Sequence, residues 1–94
     1  MPRVVYTPEF LTDLDRIKKF LNHLERSIYK RFTTHFRKKL EIIRHSPKAF
    51  LAFGDNRIYF LSFGAGGYAI QYHYDESCNE IKLLRIRHQK EAGF

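Results

Sequence analysis

Residues 57–87 read RIYFLSFGAGGYAIQYHYDESCNEIKLLRIR, three strand-like runs separated by two turns, and this stretch decides the fold. Arg57 to Phe63 is apolar on both sides of a pleat, as an inner strand should be. Gly64-Ala65-Gly66-Gly67 supplies the positive backbone angles of a tight turn. Tyr68, Ile70, Tyr72 and Tyr74 then alternate with Ala69, Gln71 and His73, an aromatic face opposite a more polar one. Asp75 to Asn79 is a second turn and Glu80 to Arg87 the last strand. Strands joined this closely predict an antiparallel meander, and its apolar face needs a cover.

The first half of the chain supplies that cover. Arg3 to Tyr6 is a short β-branched strand, expected to join the sheet at an edge. Thr7-Pro8 marks a helix start, a capping hydroxyl followed by proline at the first helical position. Phe10, Leu11, Leu14, Ile17, Phe20, Leu21 and Leu24 follow at intervals of three and four, one helical face, with Asp13, Asp15, Arg16, Lys18 and Lys19 filling the gaps. A second helical pattern runs from about Leu24 to Arg44, with Ile28, Tyr29, Phe32, Phe36, Leu40 and Ile43 as its apolar stripe. The Asn22-His23 link is short enough to force an antiparallel hairpin, and Ser46-Pro47 ends the second helix. The predicted fold is α+β: a helical hairpin packed on a small, mainly antiparallel four-stranded sheet, in the order β-α-α-β-β-β. Residues 1–94 form a single domain, since no linker or repeat divides them.

Composition narrows the class of function. The formal charge is +7, and residues 1–47 carry eleven Lys/Arg against five Asp/Glu, so the surplus lies in the helical half. Such a balance favours acidic partners, either nucleic acid or an acidic protein. Arg26, Lys30, Arg37 and Arg44 recur at intervals of four, seven and seven and form a stripe able to run along phosphates, or simply a solvated basic face. No apolar run is long enough to span a bilayer, no signal peptide is evident, and the single Cys78 cannot close an internal disulfide; these points favour a cytoplasmic protein. His23, His35, His45 and His73 show no metal-ligand spacing, so no metal or other cofactor is expected. Gly66-Gly67 is not a phosphate-binding P-loop, because the lysine and hydroxyl that should follow are missing.

The end of the chain carries a more specific signal. Residues 81–94, IKLLRIRHQKEAGF, resemble the C-terminus of ParE-type toxins of the RelE/ParE superfamily, which close a last strand with a similar Arg-His-Gln-Arg/Lys-Glu-Ala-Gly-aromatic stretch. Arg57, the Phe63-Gly64-Ala65-Gly66-Gly67-Tyr68 turn, Gln71-Tyr72, the Met1-Pro2-Arg3-Val4 start and Thr7-Pro8 are similar to that family as well. The likeness covers almost the whole chain, with one departure. Residues 46–56, SPKAFLAFGDN, are shorter than the family pattern and lack its Gly-Arg pair.

The resemblance implies the toxin of a type II toxin–antitoxin system, of the plasmid-stabilisation kind, neutralised by an acidic antitoxin that alone contacts operator DNA. Its ParE branch binds DNA gyrase, with or without the DNA that gyrase holds, and performs no chemistry. On that reading Arg85, Arg87, His88, Gln89, Lys90 and Phe94 meet the target, while Phe10, Leu14, Ile17 and Arg57 face the antitoxin; the first three suit an ordinary core equally well. Its RelE branch cleaves messenger RNA on the ribosome, which requires a base, an acid and cations around the phosphate. His88, Arg57, Arg85, Arg87 and Lys90 are the candidates for that alternative, His88 because its ordinary pKa lies near neutrality. His88 is as well suited to orienting the terminal turn by hydrogen bonding. A third alternative is a non-toxic basic module that binds nucleic acid without sequence preference.

Overall fold

A computed structural model of the chain describes residues 1–64 and 66–91. The elements follow as β1 (Arg3–Tyr6), α1 (Pro8–Leu24), α2 (Arg26–His45), β2 (Leu51–Phe53), β3 (Asn56–Phe63), β4 (Gly66–Asp75), β5 (Glu80–His88) and a 3-10 turn, Gln89–Glu91. The sheet has five strands in the order β1-β5-β4-β3-β2, antiparallel except for the parallel β1–β5 pair. The α+β architecture and the edge position of β1 match the sequence reading. The fifth strand is β2, three residues inside the stretch read as a loop; Leu-Ala-Phe is too short to show a two-residue period. Gly54, at φ +63°, makes the turn that returns β2 to β3.

Thr7 starts α1 as its composition dictates. Its Oγ1 accepts the Phe10 N–H at 3.2 Å and donates to the Leu83 carbonyl at 2.7 Å, so one hydroxyl caps the helix and fastens it to β5. The two helices are closer than the Asn22-His23 link implied, because Glu25 alone separates them, its extended backbone making the corner. α1 packs on β5 and α2 on β3. Phe10, Ile17 and Leu21 from α1 meet Phe32, Phe36, Leu40 and Ile43 from α2 over Leu61, Tyr68, Ile70, Tyr72, Ile81, Leu83 and Ile86. Phe32 is the hub, its ring edge-on to Tyr68 at 5.1 Å and to Phe63 at 5.4 Å. The α1 stripe is broader than the core beneath it, which leaves Leu11, Phe20 and Leu24 exposed.

Two buried polar groups are accounted for. Tyr72 donates its hydroxyl to the Pro47 carbonyl at 2.7 Å, locking the end of α2 to the sheet. Burial pushes its pKa up to about 12, against the pull of the Arg57 charge. Glu80 is ion-paired with Arg3, its neighbour in register, across the parallel β1–β5 pair.

Candidate functional site

The geometry of the site begins with a break in β5. Gln71 pairs with Arg85 and Tyr72 with Leu83, so Leu84 is an extra residue and the ladder bulges. Leu83 and Ile86 both enter the core, three residues apart, which a regular strand forbids. Past the bulge, His88 takes the helix-covered side with Ile86, and Arg87 turns to the opposite face, in a row with Ala69 and Phe60.

β1 covers the outer edge of β5 only as far as Leu83, and α1 takes over from there. Asp13, 1% exposed, accepts the Ile86 N–H at 3.0 Å, continuing the ladder with a side chain. The same carboxylate accepts two hydrogen bonds from Arg85, at 2.8 and 3.1 Å, while Arg16 lies 3.5 Å away. Burial alone would raise the Asp13 pKa; the Arg85 guanidinium, the Ile86 N–H and the charges of Arg85 and Arg16 outweigh it and hold the carboxyl below the usual range. Arg85 is therefore committed to a joint between α1 and the bulge. Read in sequence, Asp13 is a charge filling a helical gap, and Arg85 a cation matched with Arg87.

His88 sits where the sheet meets the terminal turn. Its ring is edge-on to Tyr68 at 5.2 Å, and its Nδ1 accepts the Lys90 N–H at 3.1 Å. This hydrogen bond ties His88 to the terminal turn. Gly66 lies beneath the ring, and a Cβ there would come within 2.7 Å of Nε2. That close approach is why glycine stands at the start of β4.

Beside the terminal turn lies an open cleft of about 500 Å³, lined among the described residues by Arg16, Ile17 and Phe20 of α1, Tyr68, His88 and Lys90. Phe20 stands 58% exposed on its wall, and Gln89 and Lys90 are exposed on the terminal turn. Arg16 and Phe20 did not stand out in sequence, one reading as a gap-filling charge and the other as part of the core stripe. Phe60, 64% exposed on the uncovered sheet face, did not stand out either, because an inner strand is read as buried on both sides. Of the sequence candidates, His88 and Lys90 border this cleft, Gln89 stands between them in the chain, and Arg87 faces the other side of the sheet; Phe94 lies outside the described residues.

Arg57 is placed elsewhere. It pairs in register with Tyr72, four rows from the Leu61–Tyr68–His88 row, and donates to the Phe50 carbonyl at 2.9 Å. At about 3.3 Å per residue, four rows alone are about 13 Å. The five residues named for RNA cleavage therefore do not converge on one phosphate. Phe10 and Ile17 are buried in the core, Leu14 is packed at its margin, and Tyr68 and Tyr72 serve packing. Among the described residues no three His, Cys, Asp or Glu side chains cluster closely enough to hold a metal ion, and no helix is long and apolar enough to cross a membrane.

Comparison with known families gives a match to the model described as ParE toxin of type II toxin-antitoxin system, parDE, over residues 4–93. A comparison with curated proteins finds no match. The family match spans the capped first helix, the bulged last strand and the terminal turn alike, and the chain belongs to the ParE toxin family of type II toxin–antitoxin systems.

Proposed function

We propose that this toxin inhibits DNA gyrase by binding, through Arg87, His88, Gln89, Lys90 and Phe94 at the end of the chain, Arg87 contributing from the sheet face opposite His88 and Arg85 holding the strand in place from the Asp13 joint. The observation that carries the reading is the cleft where exposed Phe20 and the Tyr68 ring adjoin Arg16, His88 and Lys90. An apolar anchor inside a cationic rim suits docking on an acidic protein surface, with or without bound DNA, and needs no proton transfer. An acidic antitoxin neutralises the toxin by covering the same cleft and the margin of α1 near Leu14, with Phe10 and Ile17 supporting that surface from beneath. Arg57 extends the antitoxin's path to the other end of the sheet. The toxin acts in the bacterial cytoplasm, and where a plasmid carries the pair, daughter cells that lose the plasmid lose the supply of antitoxin and are inhibited by the toxin left behind.

Inducible expression of the full chain tests this, with plasmid supercoiling, double-strand breaks and transcript integrity measured in the same cells. Relaxed or broken DNA with intact transcripts is expected, abolished by co-expressing the neighbouring acidic antitoxin and weakened at least tenfold by Arg87→Ala with Lys90→Ala. Transcripts cut on ribosomes while DNA stays whole would replace this reading with the ribonuclease one.

A further inference from the structure

The charge of this protein is concentrated on one helix. α2 carries seven Lys/Arg against the single acid Glu41, so it holds six of the seven net positive charges, whereas α1 is balanced at three of each sign. The stripe expected from the sequence is redrawn by the fold. Arg44 leaves it, since its Nε donates to the Pro2 carbonyl at 3.1 Å and its Nη1 to Glu41 at 2.8 Å. Arg31 and Lys38 join it, so that Arg26, Lys30, Arg31, Arg37 and Lys38 are all exposed. None of these five forms an ion pair with a described residue. Lys30, Arg31 and Lys38, with Thr34 and His35, line a shallow groove of about 370 Å³ along the helix.

Helix stability does not account for this arrangement. The first turn of α2 contains no acid, and Arg26 stands there, where the helix dipole disfavours a cation. Glu25 makes no side-chain cap, and Arg26 and Lys30 repel one another one turn apart. Glu25, at the N-cap, is the acid that meets this end of the helix, and its carboxylate accepts from Ser27 at 2.9 Å.

We propose that the outer face of α2 from Arg26 to Lys38 is a second binding surface, which grips the phosphate backbone of a nucleic-acid duplex without reading its sequence. Charge is the complementarity: between these residues every exposed side chain is Arg, Lys, Ser or Thr, with no exposed apolar residue and no acid. An acidic protein partner would want an apolar anchor at the centre of its footprint, and this face offers none. A phosphate backbone needs only cations held along a line. Twelve residues of helix span about 18 Å, over which a duplex presents about ten phosphate charges. The surface lies on the helical layer and uses none of the terminal-strand residues, so it stands or falls independently of gyrase binding.

Fluorescence anisotropy of the full chain with labelled 20-bp mixed-sequence DNA and RNA duplexes, titrated over a range of KCl, tests the proposal. Two variants of equal net charge are compared with the parent: Lys30→Gln with Lys38→Gln on the face, and Lys48→Gln with Lys82→Gln away from it. Losing two phosphate contacts should flatten the log–log salt slope by about 1.8 and weaken binding about 60-fold near 0.1 M salt. The remote pair should leave both almost unchanged, and the tighter duplex identifies which nucleic acid is held. Equal losses in the two variants would reduce the effect to net charge and overturn the proposal. So would failure to bind either duplex at 50 mM salt, or equally tight binding of poly-L-glutamate of matched charge.

Discussion

On α1, the Asp13 carboxylate is sealed against the sheet, with Arg85, Arg16 and the Ile86 N–H directed at it. On α2, five cations stand in solvent without an acid among them. Both regions are charged helix surfaces, and they do opposite work. A charge enclosed in low dielectric must be paired and hydrogen-bonded, so its partners become part of the fold. A charge in water contributes little to stability and is available to something outside the molecule. The difference separates, on physical grounds, cations that build the toxin from cations that can meet a partner, and it assigns Arg85 to the first group.

The largest expected effect comes from breaking the buried side of that comparison. Asp13→Ala leaves the Ile86 N–H without an acceptor and Arg85 without its bidentate partner, and should cost about 3 kcal/mol. Asp13→Asn keeps an acceptor for the N–H and should cost less. The pH dependence separates the two contributions. Asp13 has a depressed folded-state pKa, so its electrostatic stabilisation is fully present above the unfolded carboxyl pKa and is lost as pH falls through the folded value. Urea titrations below pH 5 should therefore show a steep loss for the parent and a shallower one for Asp13→Asn. Parallel curves would mean that the carboxylate is not the electrostatic centre of the joint.

These two regions also differ in how far they can be read without coordinates. The α2 face was legible in part: Arg26, Lys30 and Arg37 follow helical periodicity and need no partner elsewhere in the chain, whereas Arg44 is drawn away to Pro2 and Glu41 and Arg31 and Lys38 take its place. The hairpin and the meander were legible for the same reason, each being a local pattern. The Asp13 joint was not, since it links residues 72 apart and depends on where β1 stops covering β5. The bulge left one trace: in EIKLLRIR the alternation stumbles at the doubled Leu83-Leu84. That stumble turns Ile86 and His88 to the helix-covered side and Arg87 to the opposite face. β2 was missed because three residues carry no period, and the exposure of Phe60 because apolar residues on an inner strand do not reveal that one sheet face lacks a cover.

Between the two extremes lies the terminal turn, held by contacts but open to solvent. Gly66→Ala would drive a methyl group into the His88 ring, displacing it from Tyr68 and from the Lys90 N–H. The ring can yield, so the expected cost is about 1 kcal/mol, within the range for modest overpacking. The functional loss should be disproportionate: a folded variant, judged by unchanged circular dichroism, with growth inhibition reduced tenfold or more. Full toxicity in this variant would separate the orientation of His88 from target binding.

The smallest stability effect belongs to the solvated face. Lys30→Gln with Lys38→Gln removes two exposed charges, neither of them in an ion pair with a described residue, and glutamine forms helix nearly as well as lysine. Relief of the Arg26–Lys30 repulsion offsets the small propensity loss, so the midpoint in urea should move by less than about 0.5 kcal/mol and toward greater stability at low salt. Raising the salt concentration should erase the gain, because screening weakens the same repulsion in the parent. A loss above 1 kcal/mol would place these lysines with Asp13 among the charges that hold the fold together, and the contrast between the helices would fail. A small gain that fades with salt would instead show a helix kept less stable than its own chemistry allows, which is the mark of a surface retained for a partner.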